Sequence, residues 1–241
     1  RLFKQDRITE TVADYTNIRF MYAAPDHRSL LLSPDNTTKW RYMTALGADK
    51  VTVEEVDIKG IFSGTNDGKF PGQILQVIWN ETSEKVLLQV ENAGQTEWGL
   101  INLRKVNESI NLSRAILSYT DKSEKRSNIE TAVQSLETKK NLSQVVIEDA
   151  AANKLLATID GNLQEIDVVA ETLSEAYLKG IDKFTMLGSE VLYLTNVEKE
   201  KRQIGIYRIG DKGGIEIETI VRSKKDATIH LAMSEFDGKN I

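Results

Sequence analysis

Hydrophobic and polar positions along this chain follow one order four times: a polar turn, a short apolar run, a second polar turn, then an alternating run. The first copy is APDHRSLLLSPDNTTKWRYMTAL (Ala24 to Leu46) and the second WNETSEKVLLQVENAGQTEWGLINL (Trp79 to Leu103). Both carry a triple apolar run (Leu30 to Leu32, then Val86 to Leu88) and a T-x-W triplet (Thr38 to Trp40, then Thr96 to Trp98). The third, EDAAANKLLATIDGNLQEIDV (Glu148 to Val168), loses the tryptophan and gains the tight hairpin signal Asp160-Gly161-Asn162. The fourth, MLGSEVLYLTNVEKEKRQIGIYRIG (Met186 to Gly210), has Ile204, Ile206 and Ile209 in place of the aromatic. Period-two alternation bounded by turn residues predicts consecutive antiparallel strands in each copy.

Flanking segments such as NIRFMYA, GQILQVIW, ESINLS, SEAYLK and GIEIETI complete each copy. The result is about four strands in ~40 residues, the arithmetic of a propeller blade. A meander of this kind cannot bury both faces alone, whereas stacked blades bury them and protect the sheet edges. The expected fold class is therefore all-β: a β-propeller of four-stranded antiparallel blades at approximately 15–58, 73–113, 142–179 and 180–222, after an N-terminal strand or linker at 1–14. The last segment, 226–241, reads as the start of a fifth blade. A fragment of a larger propeller is the expectation. Two insertions, 59–72 and 114–141, interrupt the period. The first, rich in Gly, Asn and Asp, reads as a loop; the second has helix-like spacing at Ile129, Ala132, Val133 and Leu136.

The APDHRSLLLS turn and strand resembles the S-P-D-G turn of TolB-type, WD-like bacterial propeller repeats. The second copy, with its T-E-W and closing I-N-L-S, is similar to the propeller part of PEGA-domain surface proteins. That resemblance covers most of residues 15–222. It implies a propeller outside the cytoplasmic membrane, behind an anchor that would precede Arg1, and it carries no established reaction or ligand. The glycine expected after Asp26 is His27, and after Asp35 it is Asn36. Both residue types tolerate the left-handed backbone, so the turns should survive.

Composition narrows the partners. The formal net charge is -5, with acidic and basic residues interspersed, so no basic face offers itself to nucleic acid. No run approaches the ~18 apolar residues of a membrane span; membrane contact is expected only through the missing N-terminal anchor. The 241 residues contain no cysteine, which removes disulfides and thiolate sites but leaves the compartment open. Sequons at Asn36, Asn80, Asn107, Asn111 and Asn141 are read as chance in a chain rich in Asn, Ser and Thr.

Candidate chemistry is sparse. Ser33, Asp35 and Trp40 are spaced like the Asp-box hairpin of sialidase-type propellers, but Thr37 and Lys39 break that pattern and the other copies lack it. Two histidines, His27 and His230, are too few for a zinc site without cysteines, and no G-x-S-x-G elbow is present. SGTNDGKFPG (Ser63 to Gly72) lacks both the G-K-[ST] ending of a phosphate loop and the oxygen spacing of an EF-hand. We therefore expect no catalytic residues, no metal site and no cofactor.

Trp40, Trp79 and Trp98 are read as packing anchors of the repeat, with Asp26 and Asp35 as its turn residues. Partners are expected on the insertions, at Asn66, Asp67, Lys69, Lys122, Lys125 and Arg126. The functional expectation is a non-catalytic binding or scaffolding propeller of the bacterial envelope, contacting protein or glycan. The alternatives are a glycosidase-like or lyase enzyme on a propeller frame, or a TolB-like accessory subunit.

Overall fold

A computed structural model describes residues 18–34, 36–45, 51–70, 72–92, 94–121, 140–198, 201–210 and 215–221. Its strands form four successive sheets, each built on an antiparallel meander, the third extended to six strands. The first holds β1 (Ile18–Ala23), β2 (Leu30–Pro34), β3 (Lys39–Thr44) and β4 (Thr52–Asp57); the second β5 (Gln73–Trp79), β6 (Lys85–Asn92), β7 (Gln95–Asn102) and β8 (Ile110–Asn111). After a one-turn helix, α1 (Leu112–Ala115), and β9 (Thr120–Asp121), the third sheet holds β10 (Leu142–Ile147), β11 (Lys154–Ile159), β12 (Asn162–Asp167), β13 (Thr172–Leu173) and β14 (Leu178–Lys179). The fourth holds β15 (Ile181–Leu187), β16 (Glu190–Glu198), β17 (Lys201–Arg208) and β18 (Ile215–Val221).

The apolar runs explain how the sheets stack. Side chains on a strand alternate between faces, so a run of consecutive apolar residues serves two interfaces at once. In β6, Val86, Leu88 and Val90 join a core with Leu31, Trp40, Tyr42 and Val56 of the first sheet. Leu87 on the opposite face joins Trp98 and Leu100 in a core with Val145, Leu155 and Ala157 of the third. Leu156 and Leu163 in turn pack with Phe184, Val191, Tyr193 and Tyr207 of the fourth. Each middle sheet is thus buried on both faces, and hydrophobic burial holds the stack together. Four-stranded antiparallel meanders stacked face to face are the blades of a β-propeller.

Each first strand carries a one-residue register shift near its start, at Arg19, Leu75, Ser143 and Asp182. A bulge sharpens the local twist and re-aims the side chain at that point. The first strands of adjacent blades approach directly where β10 meets β15. In each meander the first strand starts at the same end as the second hairpin and as the connection to the next blade. The described ends of both insertions and the β6–β7 hairpin therefore lie on one face of the stack.

The turns follow the expected chemistry. His27 (φ 55°) and Asn36 (φ 53°) adopt the left-handed backbone where glycine was expected. Asp160 and Gly161 are both left-handed (φ 51° and 76°), as a two-residue primed hairpin requires. Asp26 Oδ1 accepts from the Arg28 and Ser29 amides at 2.8 Å each. Asn80 and Asp149 do the same work in the next two blades.

The outer strands depart from expectation. Only Ile110–Asn111 of ESINLS pairs with β7, because the Asn111 side chain accepts from Arg114 N and caps α1, turning the chain away. SEAYLK is likewise reduced: only its Leu178–Lys179 (β14) pairs with β12, beyond the two-residue β13 that precedes it. Serine hydroxyls complete the interrupted pairing, since Ser109 and Ser113 accept from the Asn102 and Trp98 amides and Ser174 from Glu165 N, all at 2.9 Å. A buried amide needs an acceptor from some source. The second insertion also adds β9 to the third blade, parallel to β13. The short helix or irregular excursion expected around Ile129, Ala132, Val133 and Leu136, and the fifth-blade start at 226–241, lie outside the described residues.

Candidate functional site

The first insertion runs through the core before it reaches solvent. Phe62 and Phe70 are each 1% exposed and pack with Trp40 and Val90 between the first two blades. Gly99 in β7 makes room for this, because a Cβ there would stand 2.6 Å from Phe62 Cζ. Arg19, at the first bulge, donates to the carbonyls of Phe70 (2.7 Å) and Gly72 (2.8 Å) and ties down the end of the segment. Between these fixed points Ser63 turns toward the second blade.

There the two insertions meet at Glu97. The Ser63 amide donates to Glu97 Oε2 at 2.7 Å and its hydroxyl to Oε1 at 2.6 Å. Arg114, just past the cap of α1, donates to Ser63 Oγ at 2.8 Å and to Glu97 Oε1 at 3.4 Å. Asn92 donates to the Ser63 carbonyl, and Asn111 to the Ile61 carbonyl at 3.0 Å. Burial alone would raise the Glu97 carboxyl, but the two Ser63 hydrogen bonds and the Arg114 charge outweigh it and hold the group below its ordinary range. Glu97 is an ionised, fully engaged carboxylate.

Around this cluster opens a cleft of about 610 Å³. Its walls are Gln89 of β6, Gly94 to Glu97 at the β6–β7 hairpin, Ser113, Arg114 and Leu117 after β8, and Lys140 to Ser143 at the start of the third blade. A second cavity of about 460 Å³ shares Gln89 and Ser143 with it and continues past Gln76 and Trp98 to Gln144, Asp182 and Lys183 on the innermost strands. Together they form a groove from the blade edge toward the axis. Among the described residues no group of three His, Asp or Glu is arranged to hold a metal ion, and no helix is long and apolar enough to cross a membrane.

The residues expected from the sequence are placed as follows. Trp40 (0% exposed) and Trp98 (1%) both face the following blade, whereas Trp79 is only partly buried, 6.4 Å from the Tyr42 ring. Asn66, Asp67 and Lys69 are exposed at the tip of the first insertion and do not line the cleft. Asp35, Lys122, Lys125 and Arg126 lie outside the described residues. Asn80, a nominal sequon, is buried, with its amide donating to Ala150 O and Thr82 Oγ1.

Glu97, Ser63, Arg114 and Lys140 went unremarked as a group in the sequence. One signal was present: Glu97 precedes Trp98 in a strand, so the pair points to opposite faces, and an acid was destined for a packed side.

No family model matches the chain, and no curated protein matches its sequence. Its own stacked meanders define it as a β-propeller, and the solved structures similar to it include propellers of diverse occupation. Oligogalacturonate lyase in complex with manganese aligns at TM-score 0.49 and 10% identity, covering 89% of this chain and 58% of that one. The Cps50 (Swd1) β-propeller domain of Myceliophteria thermophila gives 0.45 and 12%, covering 85% and 59%. PorZ, a surface component of the type-IX secretion system of Porphyromonas gingivalis, gives 0.42 and 12%, covering 85% and 23%. The chain thus spans less than two thirds of each of these structures. Enzymes and non-enzymatic propellers both occur among the matches.

Proposed function

We propose that this chain is a non-catalytic binding propeller of the bacterial envelope, which engages its partner through the face that carries both insertions. The observation that carries the reading is the convergence of the two insertions on Glu97, at the floor of a polar cleft. Loops held by a rigid sheet scaffold are where binding function concentrates. A general acid needs a raised carboxyl pKa, or a free carboxylate as its base partner. Glu97 is held the other way, with both oxygens occupied, which favours recognition over turnover. The envelope location rests on the resemblance of the repeats to extracytoplasmic propellers.

Hydrogen exchange with purified envelope glycan and protein fractions tests this reading. Protection at Ser63, Gly94 to Glu97 and Lys140 to Ser143, without chemical change in the bound fraction, is the expected result. Turnover of the added material, or protection confined to the opposite face around Asp26 and Asn80, overturns it.

A further inference from the structure

The cleft around Glu97 is cationic in effect. Its carboxylate is spent on Ser63 and Arg114, while two cations line the same cavity with donors to spare. Among the described residues, Arg114 uses only Nη2, on Ser63 and Glu97, and its side chain is 51% exposed. Among the described residues, Lys140 Nζ donates only to the Ile116 carbonyl, at 3.2 Å. The rest of the lining is amide and hydroxyl: Gln89, Gln95, Thr96, Asn141 and Ser143, each able both to give and to accept.

That lining discriminates between ligand classes. Protein partners are held chiefly by a few aromatic and arginine anchors in well-packed, desolvated pockets, and among the described residues the cleft lining has no aromatic side chain and one exposed apolar one, Leu117. A sugar presents a hydroxyl at nearly every carbon, and each hydroxyl is donor and acceptor together. The adjoining cavity toward Gln76 and Lys183 gives such a chain length to follow. A guanidinium with free N–H groups beside an ammonium suits a carboxylate or a phosphate, and a carboxylate is the anion a sugar carries within its own carbon skeleton.

We infer that this groove binds an acidic oligosaccharide, seating a uronate carboxylate between Arg114 and Lys140 and running its hydroxyls along Gln89 and Ser143. The inference rests on the reading of this face as the binding surface and specifies what it takes.

Isothermal titration with three probes tests it: β-1,4-trimannuronate, the corresponding mannotriose in which each carboxylate is a hydroxymethyl, and triglutamate. The expected result is that trimannuronate binds at least about tenfold more tightly than either of the others and weakens as salt rises. Arg114→Gln and Lys140→Gln should each weaken it about tenfold with thermal midpoints unchanged within a few degrees, while Arg28→Gln, exposed in the β1–β2 turn on the opposite face, leaves it unaltered. Equal binding of mannotriose overturns the acidic specificity. Tighter binding of triglutamate, or no binding of any probe, overturns the oligosaccharide assignment; hydrogen exchange with whole envelope fractions then decides separately whether the face binds at all.

Discussion

The side-chain amide of Gln144 grips the backbone of Phe184 at two points: Nε2 donates to the Phe184 carbonyl at 2.6 Å, and the Phe184 N–H donates to Oε1 at 3.1 Å. Phe184 lies on the innermost strand of its blade, whose inward edge has no further strand of its own sheet to pair with. An amide side chain from the adjacent blade fills that role. Gln144→Ala should cost about 1–3 kcal/mol by leaving both backbone groups unpaired. Gln144→Glu should cost at least as much at neutral pH, because a carboxylate would face the Phe184 carbonyl with no proton to give. Urea unfolding of the two variants checks the order; a wild-type midpoint for Gln144→Glu would show that the contact is incidental.

Phe62 and Gly99 are a matched pair across the first blade interface. Gly99→Ala should destabilise by about 1–3 kcal/mol through overpacking against the buried ring. Phe62→Leu, which shortens that ring, should recover part of the loss in the double variant. A double-mutant cycle measures this, and simple additivity would count against direct contact.

Ser113 stands in for a strand. Its hydroxyl is the acceptor for the Trp98 amide, so Ser113→Ala should cost about 1–3 kcal/mol and Ser113→Thr much less. Amide exchange at Trp98 reports the change directly: faster in the alanine variant, near wild type in the threonine variant.

Glu97 links stability to acid. Its carboxyl is lowered in the folded state, so the unfolded chain takes up the proton first as pH falls below the ordinary glutamate value of about 4.3. The stability that Glu97 contributes is present above that value and is lost as pH descends through the lower folded value. Glu97→Gln should be less stable than wild type at pH 7 and should lack this part of the acid slope. Unfolding curves between pH 3 and 7 provide the comparison.

Glu148 behaves in the opposite sense. Burial, then the nearby Glu165 charge, raises its carboxyl, and among the described residues Oε2 has no hydrogen-bond partner. Its ionised form is a penalty to the fold, fully present above the raised folded pKa and relieved as pH falls toward the ordinary value. Glu148→Gln should leave stability at pH 7 unchanged or improved, and a marked loss there would show that the carboxylate is needed.

Much of the blade pattern was legible because it is local. Val86-Leu87-Leu88 announces a strand, and its two-sided burial follows once blades stack. His27, Asn36 and Asp160-Gly161 announce turns whose backbone signs the structure bears out. The outer strands were less legible. ESINLS and SEAYLK have strand-like composition, yet Asn111 caps a helix turn and Ser174 bonds back to Glu165, and a short polar side chain that can replace a backbone partner competes with the strand it sits in.

By itself, then, the amino-acid order determined the strand-and-turn repeat and hence the class of sheet, because side-chain period and turn chemistry act over a few residues. Tertiary structure alone decided that Ser63, Glu97, Arg114 and Lys140, drawn from two insertions and a hairpin, would share one cleft. Their meeting depends on blade stacking, on Phe62 fitting against Gly99, and on Arg19 holding the end of the first insertion. Contacts between segments tens of residues apart leave no periodic trace in either segment.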